Sequence, residues 1–70
     1  MNQINLNQYP ELNRILWDIS KDYIAPDQAF HLYERRWAYV DQNKLSEKEK
    51  QLIKLLTEQV GHGVFMPVGV

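Results

Sequence analysis

The chain has 70 residues, of which 44% are hydrophobic and 24% are charged, a balance typical of one folded domain spanning residues 1–70. Its net charge of -1 excludes the domain-wide positive field that draws many proteins to nucleic acid. The absence of cysteine excludes disulfides and thiolate metal sites. No apolar run is long enough to cross a membrane, and residues 1–8 lack the basic and apolar regions of a signal peptide, so we expect a cytoplasmic protein.

The first helix is predicted over about residues 10–19. Pro10 suits the first helical position, because the N–H that it lacks would have no helical partner there. Four apolar residues follow at three- and four-residue spacing and form one stripe: Leu12, Ile15, Leu16 and Ile19. Trp17 lies about 100° from Leu16 around the helix axis, so it either widens the stripe or points elsewhere.

The second helix is predicted over about residues 26–41, with Pro26 at its first position. Its main apolar stripe consists of Phe30, Tyr33, Trp37 and Val40. Leu32 and Tyr39 lie on a flank of that stripe. The apolar arc is therefore wide, as expected for a central helix that is contacted from two sides.

The third helix is predicted over about residues 46–60. Ser46 and Glu49 match the capping box, in which a serine at the cap is followed three residues later by a glutamate. The apolar face consists of Leu52, Ile53, Leu56 and Val60, and Leu55 broadens it. Gly61 is placed to end the helix.

The two ends of the chain are predicted to be short extended segments. Ile4 and Leu6 alternate with amide residues, which is a strand-like pattern. The tail, residues 62–70, is uncharged and apolar, so we expect it to dock on its own domain or on another chain, or to pair with Ile4–Leu6 as a two-stranded ribbon. The predicted fold class is all-α, a compact three-helix domain with short extended N- and C-terminal segments.

Catalytic and metal-binding groups are scarce. His31 and His62 are the only histidines, and neither stands in a metal-ligand motif. Ser46 has a capping role, and Ser20 has no histidine close to it in sequence. The sequence therefore predicts a protein that is not an enzyme, with no cofactor, no metal and no evident small-molecule substrate.

An excess of apolar side chains favours protein–protein interaction. Two helices carry apolar arcs wider than a three-helix core needs, and aromatic residues and arginine are common anchors of interfaces. The candidate interaction residues are Trp17, Leu32, Arg36, Tyr39, Leu55, Phe65 and Met66. The partner would be a second copy in a homodimer or a larger protein. The alternative is that these side chains cover one another within the monomer.

A nucleic-acid-binding regulator is the second hypothesis. Its candidate residues are Arg35, Arg36, Lys48, Lys50 and Lys54, on the second and third helices. Lys50 and Lys54 share a helix face with Glu47 and Glu58, so their field largely cancels. Nucleic acid is therefore a possible partner that the sequence does not favour.

One pattern resembles a known family. The segments Leu16-Trp17-Asp18, Ile24-Ala25-Pro26 and Arg35-Arg36, within about residues 12–40, resemble small bacterial proteins that are encoded beside nucleotidyltransferase-type toxins. Some of those proteins act as the cognate antitoxin. The resemblance implies a regulatory protein that binds or restrains a larger enzyme.

Overall fold

The computed structural model describes residues 2–67, which form a small, mostly helical domain with one two-stranded sheet. Its elements, in chain order, are β1 (Ile4–Asn5), a 3-10 turn (Leu6–Gln8), α1 (Pro10–Ile15), β2 (Tyr23–Ile24), α2 (Pro26–Arg35), two 3-10 turns (Trp37–Tyr39 and Gln42–Lys44) and α3 (Glu47–Gln59). The three predicted helices are present. The fold is therefore mainly, but not wholly, α-helical. No helix within these residues is long and apolar enough to span a bilayer.

The first helix ends at Ile15, four residues before its predicted end. Leu16 leaves the helical conformation at φ -102° and ψ 42°, and the N–H of Ile19 bonds to the carbonyl of Leu16 in a tight turn. Leu16 is nevertheless buried and Ile19 packs against the core. The turn thus buries Leu16 and Ile19, the same residues that a longer helix would have buried. The apolar pattern is therefore the same for both conformations, and it predicted the wrong end of the helix.

The second helix ends at Arg35 and not near residue 41. Arg36 takes φ -116° and ψ 21°, and the chain continues as the 3-10 turn Trp37–Tyr39. Val40 is extended and still buried, so the predicted stripe reaches the core without a continuous helix. Contacts that Arg36 makes with α1, described below, accompany this change of direction.

The third helix agrees with the prediction to within one residue at each end. The hydroxyl of Ser46 accepts a hydrogen bond from the N–H of Glu49, which confirms the serine as the cap. The Glu49 side chain has a different role. It is fully buried, and its carboxylate accepts hydrogen bonds from the N–H groups of Glu11 and Leu12 at 3.2 and 2.8 Å.

Glu49 therefore joins all three helices. Besides the first N–H groups of α1, it accepts a hydrogen bond of 2.7 Å from the hydroxyl of Tyr33 on α2. Burial, and then the hydrogen bond to Glu49, raise the pKa of Tyr33, so its hydroxyl remains a protonated donor. A buried acidic group of this kind is stable only when it is fully hydrogen-bonded, as it is here.

The N-terminal strand pairs with the loop before α2. Ile4 lies opposite Ile24, and Asn5 lies opposite Tyr23, in an antiparallel pair. The predicted alternative, a ribbon of Ile4–Leu6 with the tail, is wrong for the part of the tail that the structure describes. The observed pairing brings two isoleucines together on the core side of the sheet, and both are buried.

The apolar tail folds back onto its own domain as far as the structure describes it, while residues 68–70 of the predicted tail lie outside the described residues. The chain reverses at His62 and Gly63, which have φ values of 54° and 87°. The ring of Phe65 then packs against Phe30 and Trp37, at centroid distances of 5.9 and 5.1 Å. The described tail thus covers the core of its own chain.

Candidate functional site

Arg36, the residue that follows α2, binds the end of α1. Its Nη1 donates to the carbonyl of Ile15 at 2.8 Å. The two terminal nitrogens also bind the two carboxylate oxygens of Asp18 at 2.8 and 2.9 Å. A guanidinium is planar and carries several fixed donors, so one arginine can hold a helix end and a carboxylate together.

Two exposed aromatic side chains lie beside this arginine. The guanidinium carbon of Arg36 is 4.4 Å from the ring centroid of Trp17, a cation–π arrangement. Tyr39 meets Trp17 edge to face, with centroids 5.4 Å apart and ring planes at 77°. Trp17 is 62% exposed and Tyr39 is 60% exposed. We call Trp17, Arg36 and Tyr39 the aromatic cluster.

The early ends of α1 and α2 create the cluster. Because α1 stops at Ile15, Trp17 lies in the turn that follows and not on a helix face. Because α2 stops at Arg35, the 3-10 turn Trp37–Tyr39 places Tyr39 against Trp17. Neither position follows from helical periodicity.

A second set of polar contacts fixes the backbone behind Tyr39. The guanidinium of Arg14 donates both to the carbonyl of Tyr39 and to the carboxylate of Glu11. Glu11 is buried, and it also accepts a hydrogen bond of 2.8 Å from the N–H of Asp41. The segment that carries Tyr39 is therefore attached to α1 at the carbonyl of the tyrosine and at Asp41.

These ion pairs lower the pKa of both acids. The hydrogen bond from Arg36 is the main cause of the lowered pKa of Asp18. The hydrogen bond from Arg14 is the main cause of the lowered pKa of Glu11, and the N–H of Asp41 adds to it. Both carboxylates are therefore charged at neutral pH, so the contacts that hold the cluster are formed there.

The other predicted interaction residues do not join the cluster. Leu32 is 9% exposed and belongs to the core, which corrects its assignment to the surface. Phe65 is half-buried against its own domain. Leu55 and Met66 are exposed, but they make none of the contacts that define the cluster.

The candidate nucleic-acid residues differ in what they contact. Arg36 is bound to Asp18, and Lys50 lies 3.5 Å from Glu47. Lys48 binds the side-chain oxygen of Gln8 and lies over the ring of Tyr9. Arg35 and Lys54 are exposed. Three of the five cations are thus already bound by other side chains of this chain: Arg36, Lys48 and Lys50.

Sequence reasoning missed Asp18 and Arg14, which orient the cluster. Asp18 follows Trp17 directly, and that adjacency was the one available signal. Its partner Arg36 is eighteen residues away, so the pair could not be read from local spacing.

An open depression of about 460 Å³ lies beside the cluster. It is lined by Asp18, Ile19, Asp27, Gln28, His31, Leu32, Arg35 and Arg36. Among residues 2–67, no three acidic or histidine side chains are grouped so as to hold a metal ion.

Comparisons of the chain with protein-family models, with curated proteins and with solved structures give no match.

Proposed function

We propose that the chain is a small, non-enzymatic protein-interaction or regulatory module whose contact surface is the aromatic cluster. The observation that carries this proposal is the exposure of Trp17 and Tyr39, 62% and 60%, beside an arginine that is already fixed. Tryptophan, tyrosine and arginine are the residues most enriched among those that contribute most to binding energy at protein interfaces.

The rigidity of the cluster supports the proposal as much as its composition does. Ordering a mobile side chain at an interface costs about 0.5–1.5 kcal/mol, and a side chain that is already ordered avoids most of that cost. Trp17 is held between Arg36 and Tyr39, and Arg36 is held by Asp18. A partner would therefore meet a surface whose shape is set before binding.

The partner we propose is a larger protein that the module restrains. The resemblance to antitoxin-like bacterial proteins rests partly on Trp17-Asp18 and Arg35-Arg36, and three of these four residues make the contacts of the cluster. A homodimer that uses the same surface is the alternative within this class. Nucleic-acid binding is a different class, and three of its five candidate cations already have side-chain partners within the chain.

The test is affinity capture from the native lysate, with and without nuclease, using wild-type protein and two variants. Trp17→Ala removes the largest exposed ring of the cluster, and Met66→Ala removes an exposed apolar side chain elsewhere as a matched control. We expect one stoichiometric protein partner that survives nuclease, is lost with Trp17→Ala and is retained with Met66→Ala. Circular dichroism of each variant checks that the fold is intact.

Two results would contradict the proposal, and one would replace the larger partner protein with a second copy of the chain. Recovery of a partner only without nuclease would favour the nucleic-acid regulator. Recovery of the bait alone, together with a dimer that dissociates with Trp17→Ala, would favour self-association. Equal capture by both variants would place the contact surface outside the cluster.

A further inference from the structure

A groove lies along β1, away from the aromatic cluster. It has a volume of about 440 Å³ and is lined by Asn2, Gln3, Ile4, Asn5, Gln8, Tyr9, Tyr23 and Leu52. None of these residues belongs to the cluster. The lining combines amide side chains, two tyrosine rings and aliphatic groups, and it contains no charged residue.

The pairing register leaves hydrogen-bonding groups of β1 directed towards its free edge. The N–H of Leu6 bonds to the carbonyl of Asp22, which together with the Ile4–Ile24 pairing shows that the backbone groups of Ile4, two residues earlier, face β2. In a trans peptide bond the carbonyl and the N–H point in opposite directions. The carbonyl of Gln3 and the N–H of Asn5 share their peptide bonds with the N–H and the carbonyl of Ile4, so both point away from β2. The sheet has only these two strands among residues 2–67, so this edge has no neighbouring strand there.

We propose that this edge is a strand-addition site for an extended peptide segment of a partner protein. The carbonyl of Gln3 and the N–H of Asn5 flank Ile4. In a peptide that runs parallel to β1, one residue can donate its N–H to the carbonyl of Gln3 and accept, through its carbonyl, from the N–H of Asn5. Addition of a strand to an open sheet edge is a common mode of peptide recognition, in which backbone bonds supply affinity and neighbouring pockets supply specificity.

The charge around the groove defines the chemistry of the peptide. Edge strands are commonly protected from pairing by lysine or proline, and Asn2, Gln3, Ile4 and Asn5 provide neither. Lys48 lies at the end formed by Gln8 and Tyr9, with Nζ 2.7 Å from the amide oxygen of Gln8 and 5.4 Å from the tyrosine ring. It has no carboxylate partner among residues 2–67. The peptide should therefore be uncharged along most of its length and carry an acidic group at the end next to Lys48.

A matched pair of substitutions isolates the backbone donor. Asn5 has φ -83°, close to the value that proline imposes, and the residue before it is already in a strand. Asn5→Pro removes the outward N–H, whereas Asn5→Ala keeps it. Both variants lose the bond that the Asn5 side chain accepts from the N–H of Asn7, so their difference reports the backbone edge itself, where proline replaces the N–H donor with a ring carbon.

The experiment is a selection from a random heptapeptide library displayed on phage, using the immobilised full chain. We expect enrichment of peptides with β-branched, uncharged centres and an acidic residue at one end. A selected peptide should bind Asn5→Pro about tenfold more weakly than Asn5→Ala, as expected for one lost hydrogen bond. Lys48→Gln should remove the acidic preference, while Lys50→Gln should preserve it. Trp17→Ala should leave peptide binding unchanged, which separates this site from the aromatic cluster.

Several outcomes would overturn the proposal. One is a library with no enriched sequence, and another is a set of enriched peptides that bind Asn5→Pro and Asn5→Ala equally. Self-association that is lost with Asn5→Pro would assign the edge to a second copy of this chain. If Asn5→Pro does not fold, the Lys48→Gln and Lys50→Gln comparison decides, and an unchanged acidic preference in Lys48→Gln contradicts the proposal.

Discussion

Arg36 lies over the ring of Trp17, with its guanidinium carbon 4.4 Å from the ring centroid, while the same guanidinium binds Asp18 and the last carbonyl of α1. One side chain thus supports the tryptophan, pairs with the acid beside it and joins two helices. The interaction surface and the packing of the helices consequently depend on the same residue.

Replacing Arg36 with lysine should lower the free energy of unfolding by about 1 kcal/mol, since lysine is a point charge that cannot bind Ile15 and Asp18 with a planar fork. Arg35→Lys is the matched control, because Arg35 is exposed. Urea unfolding measures both variants. Equal stability of the two would show that the bidentate contact contributes nothing to the fold.

Replacing Glu49 with glutamine should lower the free energy of unfolding by about 2–3 kcal/mol, because an amide presents its NH2 group to buried donors that now bind oxygen. The carboxylate oxygens accept from the N–H groups of Glu11 and Leu12 and from the hydroxyl of Tyr33. Glu47→Gln, two residues earlier and exposed, should change stability little. A small effect of Glu49→Gln in the same urea experiment would contradict the role of Glu49 as the link between the helices.

The lowered pKa values of Glu11 and Asp18 predict a loss of stability in acid. The ordinary values are 4.5 and 3.8, and the folded values lie below them. Each ionised carboxylate therefore stabilises the fold fully above its ordinary pKa, and this stabilisation is lost as the pH falls through the lower pKa of the folded protein. Melting temperatures measured from pH 7 downwards should fall below about pH 4.5, the ordinary value for Glu11. In the Glu11→Gln variant the melting temperature should fall less steeply with pH. An equally steep fall would show that the ionisation of Glu11 does not contribute to the acid sensitivity.

Replacing Gly61 with alanine should detach or displace the tail. A Cβ at this position would lie 2.5 Å from Cζ of Phe30 and 2.5 Å from the carbonyl oxygen of Val64, and both would have to move. We expect a loss of about 1–3 kcal/mol, typical of overpacking, and faster proteolysis after Gly61. Phe65→Ala, which removes the ring that packs on Phe30, provides the comparison. Unchanged proteolysis in both variants would contradict the docking of the tail.

The sequence predicted where the helices begin better than where they end. Pro10, Pro26 and Ser46 mark the three starts correctly, because each acts locally on the first turn. Gly61 likewise allowed the end of α3 to be predicted. The predicted ends of α1 and α2 were wrong. At the observed ends the guanidinium of Arg36 binds the carbonyl of Ile15, a contact that spans 21 residues and that local spacing does not show.

The candidate site shows the same division between local and distant information. Trp17, Arg36 and Tyr39 were named from their residue types, but their mutual contact depends on the shortened helices. Asp18 was not named as a candidate site residue, because its contact with Arg36 spans 18 residues of sequence. Leu32 was placed on the surface because periodicity alone does not show which flank of a helix is covered.

The most direct test of the account is the affinity of the captured partner for Arg36→Lys and Arg35→Lys, measured by titration calorimetry. If the aromatic cluster is the contact surface, Arg36→Lys should weaken binding about tenfold or more, as expected for a residue that contributes strongly to the interface, and Arg35→Lys should bind like the wild type. Equal affinities for the two variants, with both folded, would contradict the proposal that the Arg36-supported cluster is the surface through which this chain acts.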